Sequence, residues 1–164
     1  MKEKTHILYL IVRDEPGVMN RLTGLFSRRN FNIDTITVGK TNQQGLSRIV
    51  ISLNADDETL EQLKKQLGKL IDVEKIGELN DKTAVVRELC LVTVAVKNQN
   101  ARKEITSFAN IFRANIVGVS KESLIIQLAG KPMQIEAFLD LVKKHGIKDI
   151  SRTGVNAISR GNGK

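Results

Sequence analysis

Cysteine, histidine and proline are scarce in this chain of 164 residues, and each shortage narrows what it can do. One cysteine, Cys90, excludes a disulfide within the monomer, and its place in an apolar strand marks an inert core thiol. The two histidines, His6 and His145, stand near opposite ends and read as surface or strand-end residues. No His-Glu-x-x-His or Cys-x-x-Cys spacing offers a metal site. No Gly-x-Ser-x-Gly elbow presents a nucleophile, and no Gly-x-x-x-x-Gly-Lys loop followed by Ser or Thr cradles phosphate. The pair Asp56-Asp57 opens a helix, where capping explains it. No catalytic constellation and no metal set emerge, so an enzyme is not expected.

Long apolar runs are missing too. The longest, Ile7–Val12, falls far below the roughly 20 residues of a membrane span. Met1–Lys4 ahead of it resembles a signal peptide only faintly, because Arg13-Asp14-Glu15 stands where a small-residue cleavage site belongs. The run reads as a first buried strand, and the cytoplasm is the expected location.

Charge is plentiful but uneven. Residues 1–80 carry 12 Lys+Arg against 11 Asp+Glu, whereas residues 81–164 carry 14 against 7. A basic half suits an anionic partner or an acidic protein surface, although no block of five like charges occurs and a solvated face explains it equally well.

The apolar periodicity describes one pattern twice. Ile7–Val12 is a strand; Val18, Leu22, Leu25 and Phe26 mark a helix over Val18–Arg29. Ile33–Val38 and Leu46–Leu53 flank the loop Asn42-Gln43-Gln44-Gly45, as in a hairpin. Leu60, Leu63, Leu67 and Leu70 form a second helical stripe, and Val73–Leu79 closes the unit. The second copy runs through Leu89–Val96, a helix marked by Ile105, Phe108, Ala109 and Phe112, and the strands Ile116–Val119 and Leu124–Leu128. Lys131-Pro132 then starts a helix with the stripe Ile135, Phe138, Leu139 and Val142, and Ile147–Ile150 returns as a strand. The fold class is therefore α+β, two ferredoxin-like βαββαβ units. The polar stretch Asn80-Asp81-Lys82-Thr83 divides them into a first unit, 1–80, and a second, 81–164.

The most telling stretch is Asp14–Ile36. Glu15-Pro16-Gly17-Val18 fits a type II turn, and a helix begins directly after it. The Gly17, Val18 and Met19 amides are then left without intrahelical acceptors and favour a carboxylate. Asn32 offers both a donor and an acceptor, and the chain order suggests that it lies close to those amides. Asp14 suits an ammonium group or else caps its own turn. Val18 and Ile33 would line an aliphatic side chain, or serve as ordinary core. Asn20, early on the helix, faces the same space. Together the corner suits a free amino acid.

This stretch resembles the ligand corner of ACT domains, the amino-acid-sensing modules of metabolic regulation. Leu25-Phe26-Ser27-x-Arg29-x-Phe31-Asn32-Ile33 with Thr37-Val38 narrows the likeness to the small regulatory subunits of acetohydroxyacid (acetolactate) synthase. Gly45-Leu46-Ser47-Arg48, Val86-Arg87-Glu88-Leu89, Ile111-Phe112-Arg113, Gln127-Leu128-Ala129-Gly130, Arg152-Thr153-Gly154 and Ser159-Arg160-Gly161 extend it over nearly the whole chain. The resemblance implies a non-catalytic subunit, a homodimer, that activates a large catalytic subunit and confers feedback inhibition by valine or a related branched-chain amino acid. The effector would sit between two ACT domains, touching Asp14, Gly17, Val18, Asn20, Asn32 and Ile33. Thiamine diphosphate, magnesium and FAD would belong to the catalytic subunit, with no cofactor in this chain. An ACT sensor for another enzyme or a transcriptional system is the alternative. RNA-recognition domains share the βαββαβ order but stack bases on sheet aromatics, and strand Leu46–Leu53 has none.

Overall fold

The computed structural model describes residues 4–29, 31–80 and 82–161; Met1 and Asp81, which fall in the leader-like stretch and the expected linker, lie outside them. Two compact units emerge, residues 4–86 joined by 155–161, and Arg87–Gly154. The boundary thus falls after Val86, three residues beyond the polar linker, and the C-terminal segment returns to the first unit.

In the first unit, β1 (Lys4–Arg13), α1 (Val18–Arg28), β2 (Ile33–Lys40), β3 (Leu46–Ala55), α2 (Asp57–Leu67) and β4 (Val73–Leu79) follow the βαββαβ order. The antiparallel sheet runs β2-β3-β1-β4. Period-two burial along β1 sends His6, Leu8, Leu10 and Val12 toward the helices. They meet Val18, Leu22, Leu25 and Phe26 of α1 and Leu60, Leu63 and Leu67 of α2 in one core. Asp56 caps α2, its carboxylate accepting the Thr59 amide at 2.8 Å. His6 is buried rather than on the surface: Nδ1 lies 2.8 Å from Glu78 Oε1 and Nε2 3.2 Å from the Ala55 carbonyl.

The second unit repeats the plan with β5 (Ala84–Ala95), α3 (Gln99–Ile111), β6 (Asn115–Val119), β7 (Ser123–Gly130), α4 (Pro132–Val142) and β8 (Ile147–Arg152), in the sheet order β6-β7-β5-β8. Cys90, Val92 and Val94 pack on Ile105, Ala109, Ile135, Phe138 and Val142. Cys90 is the core thiol expected, and burial pushes its pKa up. Pro132 stands in the first turn of α4.

Two features depart from the sequence reading. β5 begins at Ala84, five residues before the expected Leu89, and a ninth strand, β9 (Asn156–Ser159), pairs with it. Val86, Ala84, Val155 and Ala157 thereby cover the face of the first sheet opposite its helices, over Val50, Leu79, Ile7 and Tyr9. Among the described residues no helix is long and apolar enough to cross a membrane.

Candidate functional site

The turn after β1 forms as its residues dictate. Gly17 takes φ 88° and ψ −12°, the left-handed third position of a type II turn, and the Val18 amide donates to the Glu15 carbonyl at 3.4 Å. Helix α1 starts at once, and Arg21 N–H closes its first turn on the Gly17 carbonyl at 3.0 Å. The Gly17, Met19 and Asn20 amides meet no acceptor among the described residues. They point the positive end of α1 at solvent, the arrangement that favours a carboxylate by about 0.3–1 kcal/mol.

A brace that the sequence did not reveal holds this corner. The Arg21 guanidinium forks onto Asp72, Nε to Oδ2 at 2.6 Å and Nη2 to Oδ1 at 2.9 Å. Asp72 is buried in the turn before β4, and its carbonyl accepts the Arg13 amide at 3.0 Å. The adjacent guanidinium holds the Asp72 carboxyl below the usual carboxylate range. On the other side the Asp14 amide donates to the Gly45 carbonyl at 2.8 Å, tying the turn to the β2–β3 hairpin. No sequence signal joins Arg21 to Asp72, 51 positions apart.

The six expected residues do not all meet. Asp14, Gly17, Val18 and Asn20 share the sheet end where Arg13 pairs with Leu46. Ile33 pairs with Leu53, which pairs with His6, so Asn32 and Ile33 lie at the opposite end. Seven residues of β3 separate the two levels, roughly 23 Å at strand rise. The expected closeness of Asn32 to the Gly17 amides within one chain is therefore wrong, because α1 runs back along the sheet and carries the chain to its far edge. Val18 is 3 % exposed and Ile33 half-buried, both against the first core. Ordinary packing claims Val18's side chain, and its amide, expected as a donor at the corner, is taken by the Glu15 carbonyl. Asp14, Asn20 and Asn32 are exposed. Among the described residues no group of three or more His, Cys, Asp or Glu side chains is placed to hold a metal.

Comparison with known proteins agrees with this architecture. Residues 8–75 match the AHAS small subunit-like ACT domain, and residues 87–161 match the small subunit of acetolactate synthase. The acetolactate synthase small subunit of Mycolicibacterium smegmatis is 45 % identical over 157 residues, 96 % of this chain and 92 % of that protein. The one from Bacillus subtilis is 44 % identical over 156 residues, 94 % of this chain and 90 % of its own. The crystal structure of the acetolactate synthase small subunit from Thermotoga maritima superposes with a TM-score of 0.90 at 38 % identity, covering 97 % of this chain and 99 % of that one. Two ACT-like βαββαβ units, both family matches and near full-length relatives converge: the chain belongs to the acetolactate synthase small-subunit family, the non-catalytic ACT-domain subunits of that synthase.

Proposed function

We propose that this chain binds and activates a large catalytic subunit of acetolactate synthase in the cytoplasm, and makes it inhibitable by valine or a close branched-chain relative. The thiamine diphosphate, magnesium and FAD of the synthase then reside on the catalytic subunit. The observation that carries the effector reading is the unpartnered amide corner at Gly17 with its arginine brace.

Because Gly17 and Asn32 lie at opposite ends of one unit, a single chain supplies only half a seat at each end. Two copies related by a two-fold axis, with their α1 helices antiparallel, set the Gly17 corner of one beside Asn32 of the other. The amides then take the effector carboxylate, and Asn32 with Asp14 takes its ammonium group. Discrimination among valine, leucine and isoleucine by one methylene is worth about 1–3 kcal/mol, so several effectors overlap. Inhibition requires the ligand to favour one arrangement of the dimer over another.

The test is complementation in the complex with the catalytic subunit. Gly17→Asp and Asn32→Ala each abolish valine inhibition while activation persists. Mixing the two variants restores one intact seat per mixed dimer and with it partial inhibition. No rescue on mixing sinks the two-copy seat. Full valine sensitivity in both single variants sinks the corner itself. The basic second unit is the part assigned to docking the catalytic subunit. Truncation at residue 81 is a poor test of that assignment, since it strips β9 and the start of β5 from the first unit. Charge reversal at Lys97, Lys103 and Lys148, all exposed, lowers activation if the second unit docks the enzyme and leaves it intact if it does not.

A further inference from the structure

A half-open cavity of about 380 Å³ lies in the first unit, lined by Arg29, Phe31, Gln62, Lys65, Gln66 and Lys69. Its composition is selective. Three of the six residues are cations, none of them in an ion pair among the described residues. No carboxylate lines it. Gln62, Lys65, Gln66 and Lys69 recur at three- and four-residue spacing, so α2 and the turn after it present them along one stripe. Phe31 forms the apolar wall. It is half-buried, packs on the first core, and stands edge-on to Phe26 with centroids 6.5 Å apart, so its ring is fixed before any ligand arrives.

That chemistry rejects three kinds of occupant. A zwitterionic amino acid would bring its ammonium group among three cations with no carboxylate in the lining to balance it. An uncharged apolar molecule leaves three cations uncompensated around it. Inorganic phosphate satisfies the cations but leaves most of the volume and the phenyl face unused.

We propose that this cavity binds a small organic polyanion carrying a flat ring, with its phosphate or carboxylate groups on Arg29, Lys65 and Lys69. The ring stacks on Phe31, and the carboxamides of Gln62 and Gln66 meet its polar edge. The lining shares no residue with the amino-acid seat, although Phe31 adjoins Asn32, and the inference does not depend on the effector reading.

Calorimetry on the full-length chain tests it with three probes: ADP, inorganic pyrophosphate and adenosine. ADP binds, pyrophosphate binds about tenfold more weakly because it lacks the stacked ring, and adenosine without its charges shows no heat. Phe31→Leu keeps the core filled but removes the flat face, so it weakens ADP about tenfold and leaves pyrophosphate unchanged. Lys65→Gln with Lys69→Gln weakens both anions and flattens the fall of affinity with salt. The proposal is overturned if ADP does not bind, if it binds no tighter than pyrophosphate, or if the double lysine variant keeps wild-type affinity.

Discussion

The two units share one strand order and differ in what lies on the sheet face turned away from their helices. In the first, Ala84, Val86, Val155 and Ala157 close over Val50, Leu79, Ile7 and Tyr9, making a second apolar layer. In the second, alternation puts Leu91, Thr93, Ile125 and Gln127 on the corresponding face, where Leu91 pairs with Gln127 and Thr93 with Ile125. Leu91 and Ile125 remain about two-fifths exposed. The same topology has thus been finished by the chain's own C-terminal strand in one copy and left open in the other. A βαββαβ repeat does not dictate a two-layer or three-layer unit; the few residues beyond the repeat do.

Matched substitutions on the two faces break this comparison most sharply. Val86→Asp buries a carboxylate without a partner and destabilises the first unit by roughly 4 kcal/mol. Leu91→Asp, on the open face, costs under about 1 kcal/mol. Tyr9 is the chain's one tyrosine and lies against the covered face, so its fluorescence in urea reports the first unit alone. Equal losses from both substitutions show that the second face is covered as well.

Each unit also fixes a strand end with an arginine fork, and the second one gives the next largest effect. Arg152 donates from Nε to Glu88 Oε1 at 2.6 Å and from Nη2 to Oε2 at 2.9 Å, and also pairs with Glu136. Glu88 is 4 % exposed. Arg152→Ala leaves that carboxylate buried and alone, a loss of about 2–3 kcal/mol once the partial exposure of Arg152 is allowed for. Thermal unfolding of the full chain measures it, and removing both partners, Glu88→Gln with Arg152→Gln, recovers part of the loss. Gly77 gives a smaller effect on the covered face of the first unit. A Cβ there would collide with the Tyr9 ring, so Gly77→Ala forces the ring aside and costs about 1–2 kcal/mol, read by the same tyrosine signal.

Much of this was legible in the residues because it rests on local period. Leucines at helical spacing placed α2, Pro16-Gly17 placed the turn, and Lys131-Pro132 placed the start of α4. The hidden part was whatever depends on a distant partner. Val155-x-Ala157 is too short a buried alternation to announce a strand, and it becomes one by pairing with residues some 70 positions earlier. The place of Asn32 is hidden for the same reason. Proximity along the chain suggests a shared corner, whereas the eleven-residue α1 carries the chain roughly 16 Å along the sheet, most of the way to its far end.

The brace at the Gly17 corner gives the mildest of the expected effects and bears on the first unit only. Arg21 holds the Asp72 carboxyl below its ordinary value near 3.8. A carboxyl whose folded value is depressed adds stability that is complete above the ordinary value and fades as pH falls through the folded one. The first unit therefore weakens below about pH 4, while Arg21 stays charged throughout. Asp72→Asn keeps the size of the side chain and removes the titration, so the acid limb of the Tyr9 unfolding signal flattens. Since the fork steadies the turn that leads into α1, the same variant also loosens the amide corner and, on the effector function proposed above, weakens valine inhibition at neutral pH without loss of activation. An unchanged acid limb in Asp72→Asn shows that other carboxylates govern it, and unchanged inhibition shows that the corner keeps its shape without the fork.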